Sequence, residues 1–504
     1  MPSVAASSFW KDAAIVVAIC LAGNVAVGAA IAWHNPGYLS DFRTNNNPDA
    51  IHYVVLGRNV WTLGEYSRLE EPPYVPDILR PPLYPLLAGS VQLVAGQIWP
   101  LYALHAIFQA LTALAVLWFG RKVLDRRVGL IAGVLVAADA VLWVANFEAM
   151  SESLYVMLAT WGTVMWLSVL RPQPARPVGE SVGELQARAA SPLPHAPPPE
   201  AAEQIEKKRA DGGGLADQLI HQPGEPVGVL AILTGSLLGL ATLTRPAGVY
   251  LPIALLMATL IVAAVKRSWP LARWPLIALA IYSSLVIPWI VRNYAVFGIP
   301  RMTITDSLTK VYFSGAGAIA EDEGLTREEA QAKIAEDYNL ETVVVAHNYW
   351  RSERSVAEMD TAQRAAYRQI VAAHPRGLAI SSLKGFAKAM LGHDVNVLAH
   401  ATGLEWRGAR NLRSNPPLLS FLFIYQETFT LLVLLAAIVG YFLMLRNDRW
   451  LWLGVSAALG YYALTVLIVG LDAYTRHRLG MTPLLAMLAA VVLSRVSRRL
   501  ARPK

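Results

Sequence analysis

Apolar runs separated by short polar breaks set the pattern of this chain. Ten stand out: Ala13–Ala32, Leu101–Phe119, Gly129–Ala145, Ser153–Leu170, Val227–Leu243, Val249–Ala264, Trp274–Ile290, Leu418–Leu445, Leu451–Gly470 and Thr482–Leu493. Most approach the ~20 residues that a helix needs to cross the hydrocarbon core of a bilayer. The pattern predicts an all-α polytopic membrane protein with about ten transmembrane helices. The breaks then sort by charge. "RKVLDRR" at 121–127, the 171–226 segment with "KKR", "KRSWPLAR" at 266–273, "RNDR" at 446–449 and the tail "RVSRRLARPK" collect Arg and Lys. With ten spans all five fall on one side, and the short loops opposite hold little beyond Arg245, Arg476 and Arg478. By the positive-inside bias both termini are predicted cytoplasmic and the other loops outward.

Composition changes little in this picture. The 504 residues are 55% hydrophobic and 16% charged, and the net charge of +7 sits in the breaks between apolar runs. That distribution reads as a topology signal and argues against nucleic acid as a partner. Cys20, the single cysteine, lies in the first run, so no disulfide framework exists. Ala30-Ile31-Ala32 resembles a signal-peptidase site, but nine further spans follow, and loop one faces outward in either case.

Five regions follow. Residues 1–170 form an N-terminal transmembrane part with an outward loop, 33–98. Residues 171–226, rich in Pro and Gly, read as a disordered cytoplasmic loop whose His195 and His221 are solvated. Residues 227–292 are central spans. Residues 293–417 are an outward helical region, with helices expected at "TREEAQAKIAED" and "ERSVAEMDTAQRAAYRQIVAAH". Residues 418–504 complete the spans and end in the basic tail. The apolar stretch 79–96 is short for a span and is expected on, or dipping into, the outer membrane surface. Lys384 and Lys388, four apart in "PRGLAISSLKGFAKAMLG", fit either a lipid-surface helix or one packed on the spans.

The candidate chemistry lies at the outward ends of the spans. In "NNNPDAIHYVVLGRNV", Asp49 stands where it could cap a helix, with His52 and Tyr53 one turn on, Arg58 on a nearby face, and Val54, Val55 and Val60 inward. "NFEAMSESLY" offers Glu148 and Glu152 four apart, and Glu152 can occupy the first turn of the fourth span, where the helix N-terminus favours a carboxylate. Arg245 follows span five, Arg292 ends span seven, and "LDAYTRHRLGMTP" supplies Tyr474, Arg476, His477 and Arg478. Singly, these residues are satisfied as helix caps and lipid-headgroup anchors. Together, two sources of carboxylate and three of guanidinium reach the same level beside outward loops, and such groups are functional when they face a cavity. The chemistry that fits is transfer of a group carried on a lipid phosphate: arginine forks match phosphate oxygens, and a carboxylate can accept the acceptor's proton. No nucleotide-binding fingerprint competes with a membrane-delivered donor.

These motifs, in their order, resemble the membrane-embedded GT-C glycosyltransferases, specifically the bacterial group related to protein mannosyltransferases and lipid A aminoarabinose transferases. The likeness runs through "PDAIHYVVLGRNVWTLGEY", "LRPPLYPLLAG", "SESLY", "TRPAGVYLP", "PWIVRNYAVFG", "AHPRGLAISSLKG" and "YTRHRLGMTP". The resemblance implies a GT-C-type bundle with outward-facing loop helices, a polyprenyl-phosphate sugar donor, an acceptor hydroxyl on a glycan, lipid or protein, and inversion at the anomeric carbon. It implies that Asp49 is the essential loop-one aspartate and that Glu152, or Glu148, is the second acidic residue. Arg476 and Arg478 match its late basic motif, with Arg58, Arg245 and Arg292 as further contributors to the phosphate site. His477 and Gly480 stand where relatives carry an aromatic residue and a proline. It also leaves room for a divalent cation, although no close ligand spacing involves His52 or His477. The expected location is the cytoplasmic (inner) membrane, with the site on its outer face. The competing readings are a transporter or flippase for a lipid-linked sugar or phosphate, which would place polar sites at mid-membrane, and a non-catalytic scaffold.

Overall fold

The computed structural model describes residues 4–44, 48–170 and 227–500. Residues 171–226, expected to be a disordered insertion, lie outside the described residues. All regular elements among those described are helices. In chain order they begin with α1 (Val4–His34), α2 (Pro48–Leu63), α3 (Leu83–Ala95), α4 (Trp99–Phe119), α5 (Arg126–Ala137), α6 (Ala140–Ala145) and α7 (Glu152–Leu170). Central helices α8 (Val227–Thr244), α9 (Leu251–Lys266) and α10 (Trp269–Phe297) follow. A run of shorter helices comes next: α11 (Thr305–Thr309), α12 (Ala316–Glu323), α13 (Arg327–Asp337), α14 (Val343–His347), α15 (Val356–Ala373), α16 (Pro375–Leu391) and α17 (Val395–Thr402). The chain closes with α18 (Pro417–Asn447), α19 (Arg449–Val469) and α20 (Thr482–Leu500).

Among the described residues seven helical segments are long and apolar enough to cross a membrane, and the protein is a multi-pass membrane protein. The other three expected spans take different forms. The run 129–145 is broken at Asp139, whose carboxylate accepts from Val141 N at 2.9 Å and starts α6 as a separate helix. Helix α8 is apolar but short, and α20 ends in the charged "RVSRRL". The basic break at 121–127 and the basic end of α20 meet at one end of the bundle. There Asp12 of α1 pairs with Arg121 and, at 2.9 Å, Arg126, while Arg498 lies 2.6 Å from Asp125.

At the opposite end the short helices form a layer on the bundle. Two begin with capping boxes, Thr326 with Glu329 and Ser355 with Glu358, which satisfy first-turn N–H groups and fix where α13 and α15 start. The layer has its own apolar core, and Ile78 and Leu79 of loop one lie inside it beside Ile299, Ile304, Leu308 and Tyr312. Loop one is therefore clamped between bundle and layer. Residues 83–95 of the 79–96 stretch pack as α3 across α2, at a crossing so close that a Cβ on Gly57 would stand 1.9 Å from the Pro85 carbonyl oxygen. Of the two settings expected for α16, packing on the protein is the one observed. Lys384 reaches Glu321 at 2.7 Å, and a Cβ on Gly385 would stand 1.7 Å from the Gly470 oxygen.

Candidate active site

Helix α2 starts at Pro48, so Asp49 lies in its first turn and not at the cap position before it. Its carboxylate forms an ion pair with Arg80, while about 29% of the side chain stays exposed. Residues three and four apart share a helix face, which brings His52 and Tyr53 beside Asp49. The Tyr53 ring lies under the Arg80 guanidinium at 5.4 Å and meets Tyr84 edge-on at 4.9 Å. Arg58 follows Asp49 by nine residues, about 180° round the helix. That rotation takes it away from the site, and it has no ion-pair partner among the described residues.

Arg80 is held in place from several directions. Asp77 Oδ1 accepts from Leu79 N and Arg80 N, each at 2.9 Å, closing a tight turn. The other side of Asp77 is tied to Arg68, both side chains about 1% exposed, and Arg68 donates to the His347 carbonyl at 2.8 Å. Arg292 donates to the Asp77 carbonyl at 2.6 Å and sits among Tyr66, Trp289 and Phe297. Arg292 thus supports the turn that carries Arg80, and the structure gives it no carboxylate of the site.

The second carboxylate is Glu152 at the start of α7, buried and paired with Arg245; Arg476 Nε lies 4.0 Å from the same Oε1. A polar network fixes this turn: Ser153 donates to Asn146 at 2.7 Å, and Asn146 to Gln109 and Asn24 at 2.7 and 2.9 Å. Arg245 sits in the "TRPAGV" turn, whose carbonyls accept from Tyr155 and Tyr461 at Ala247 and from Tyr282 at Val249. Glu148 lies near Tyr38 and Tyr84, whose hydroxyls feel its charge, and Tyr84 feels Glu152 as well.

Residues Thr475–Arg478 form a 3₁₀ turn, in which successive side chains step by about 120°. Arg476 therefore faces Glu152, while Arg478 points away, buried, to the Met390 carbonyl and, at 2.9 Å, Thr430. His477 Nδ1 accepts from Tyr474 N at 2.9 Å, and the Tyr474 ring lies near both His477 and Arg476. The site that results joins Asp49, His52, Tyr53, Glu152, Arg245 and Arg476 of the predicted residues, with Tyr474 and His477 at its edge. Arg58, Arg292 and Arg478 are not brought into it, and Glu148 lies near it on the side of Tyr84.

Two members were missed. Arg80 stands in the quoted "LRPPLYP", where a cation ahead of a stiff double proline was the available signal. His347 had none, since it arrives from the layer, about 300 residues along the chain from Asp49.

Charge dictates the protonation pattern. Burial raises the Asp49 pKa, but Arg80 and then Arg476 outweigh it and hold the carboxyl below the usual aspartate range. Burial and nearby guanidiniums push His52 down to about 4 and His477 down to about 3, and His347 is lowered as well. Neutral imidazoles thus stand beside an ionised Asp49. Three guanidiniums face two carboxylates, and Arg80 Nε, Arg476 Nε and His52 Nδ1 are buried without a hydrogen-bond partner among the described residues. Such orphaned donors suit an anion. A divalent cation fits less well, because guanidiniums already cover both carboxylates and no group of three or more His, Cys, Asp or Glu gathers among the described residues.

No protein-family model and no curated protein matches the chain. Solved structures do. The chain aligns over 96% of its length with the archaeal oligosaccharyltransferase AglB from Archaeoglobus fulgidus, in complex with an inhibitory peptide and a dolichol-phosphate (12% identity, TM-score 0.46, 52% of that chain). A structure of that enzyme with Zn and sulfate aligns similarly (13%, 0.45, 96% of this chain and 49% of that one). ArnT from Cupriavidus metallidurans bound to undecaprenyl phosphate aligns over 96% of this chain and 78% of its own (14%, 0.35). The chain spans about half the length of the oligosaccharyltransferase. With TM-scores under 0.5, neither residue roles nor ligands carry over, and the chemistry rests on this chain's own contacts.

Proposed function

We propose that this protein is a glycosyltransferase that moves a sugar from a polyprenyl-phosphate donor to an acceptor hydroxyl, with inversion, at the outer face of the cytoplasmic membrane. The observation that carries the reading is an ionised, partly exposed Asp49 sharing Arg476 with Glu152 where buried guanidinium donors lack partners. The acceptor oxygen attacks the anomeric carbon as the bond from that carbon to the phosphate oxygen breaks. Asp49 takes the hydroxyl proton, and the bonding electrons leave with the polyprenyl phosphate. Arg476 and Arg245 stabilise the charge that grows on the departing phosphate, and Glu152 holds both guanidiniums in place. Arg80 fixes the Asp49 carboxylate and keeps it ionised.

The basic residues at the far end of the bundle support the outward assignment. In this reading residues 33–98 are the catalytic loop and residues 293–417 the layer that receives the acceptor. The test is turnover of a panel of polyprenyl-phosphate sugars by purified protein in liposomes. Asp49→Asn should lower kcat by about 10²–10⁴-fold while donor Kd changes little. A mutant that keeps the wild-type rate, or a wild type that carries donor across the bilayer without consuming it, sinks the proposal.

A further inference from the structure

A cavity of about 360 Å³ opens in the helical layer and is lined by Ser307, Lys310, Gln363, Arg364, Tyr367 and Arg368. Spacing explains its make-up: the last four residues occupy one side of α15 at i, i+1, i+4 and i+5, and Ser307 and Lys310 face them from α11 and its continuation. The volume matches that of a small-molecule site.

Gln363 is completely buried close to the Tyr312 hydroxyl, and neither its Oε1 nor its Nε2 has a hydrogen bond of regular geometry among the described residues. That hydroxyl itself donates to the Glu341 carbonyl at 2.5 Å. A buried amide left open in this way calls for a partner with both donor and acceptor groups. The charge is unbalanced as well. Arg364 is braced by Asp306 at 2.8 Å and Asp360 at 3.2 Å, Lys310 lies 3.7 Å from Asp306, and Arg301 also pairs with Asp360. Among the described residues Arg368 donates only to the Arg364 carbonyl, at 3.3 Å, so four cations there face two carboxylates. The segment below the cavity touches the turn that carries Arg80, since Thr303 and Thr305 both donate to the carbonyl of Leu79, the residue before it, at 2.9 Å.

We infer that this cavity holds the acceptor by an anionic group, a phosphate or carboxylate on a saccharide-sized ligand, an inference that rests on the transfer reading above. Lys310, Arg364 and Arg368 receive the anion, the Gln363 amide meets a hydroxyl as donor and acceptor, and Tyr367 offers an apolar wall to a sugar face.

The test is calorimetric titration of the full-length protein in phosphatidylcholine nanodiscs with glucose 6-phosphate, glucuronate and glucose. The anions should bind at least tenfold more tightly than glucose. Lys310→Glu with Arg368→Glu should weaken glucose 6-phosphate at least tenfold, and Gln363→Leu at least threefold, whereas Arg476→Ala should leave that affinity within twofold. Displacement by nanodiscs containing phosphatidylglycerol identifies the anion as a lipid headgroup, and binding indifferent to that lipid identifies a soluble glycan. Equal affinity in wild type and the double variant overturns the inference. Donor hydrolysis without acceptor, within twofold of wild type, shows that the double variant is folded. Absence of that hydrolysis in wild type, with anion binding intact, would defeat the transfer reading alone.

Discussion

Asp49 and Arg80 set the behaviour of the site at the residue scale. Because the aspartate is depressed in the folded protein, the stability that it gains from Arg80 is complete above the unfolded carboxylate value of about 3.9 and is lost as pH falls through the lowered folded value. Activity should follow the same group. With His52 held at about 4 and His477 at about 3, kcat/KM should show no histidine limb between roughly pH 5 and 8. An acid limb centred near 6.5 in a pH–rate profile would refute this assignment of charge. Removing the cation reverses the balance: in Arg80→Ala, burial prevails at Asp49, and the acid limb should move up toward neutrality, with a smaller move in Arg80→Lys. The same pair marks how far residue-level reading reached. Asp49, Glu152, Arg245 and Arg476 were legible because span ends concentrate the few charges that a membrane protein carries. Arg80 was not, because its approach to Asp49 depends on the turn that Asp77 closes.

Among the elements, the α2–α3 crossing controls the geometry. Gly57 and Gly89 let the two backbones touch, and side chains on both would meet main-chain atoms that cannot swing aside. Gly57→Val should force the helices apart at a cost of about 1–3 kcal/mol. Because α2 carries Asp49 and α3 directly follows the Arg80 turn, activity should fall more than the change in Tm accounts for. Full activity with an unchanged Tm would show that the crossing is not tight. Apolar periodicity revealed the long helices, since length and hydropathy alone decide a span. The break at Asp139 escaped it, as did the opposed directions of Arg476 and Arg478, because a 3₁₀ turn cannot be told from an α-helical end by residue type.

For the whole molecule, the layer and the bundle are joined through the site. Arg327 at the start of α13 pairs with Asp472, which is about 8% exposed and lies four residues before Arg476. Arg327→Ala leaves that carboxylate buried without its cation and should cost about 1–3 kcal/mol, read as a lower Tm. It should also loosen the turn that presents Arg476, raising donor KM severalfold with kcat less affected. Adding Asp472→Asn should recover part of the Tm, since the stranded charge is gone. An unchanged donor KM in Arg327→Ala would separate the layer from phosphate binding.

The sequence by itself determined that this chain lives in a membrane, which span ends carry charge, and that Asp49, His52 and Tyr53 share a face, because hydropathy, charge bias and helical period are local properties. Tertiary structure alone decided which arginines meet which carboxylates. Arg80, Arg245 and Arg476 come from three distant segments, and their convergence depends on Gly57 against Gly89, on Asp77 closing its turn and on the layer packing over Leu79. Contacts between segments hundreds of residues apart leave no periodic trace in a single chain.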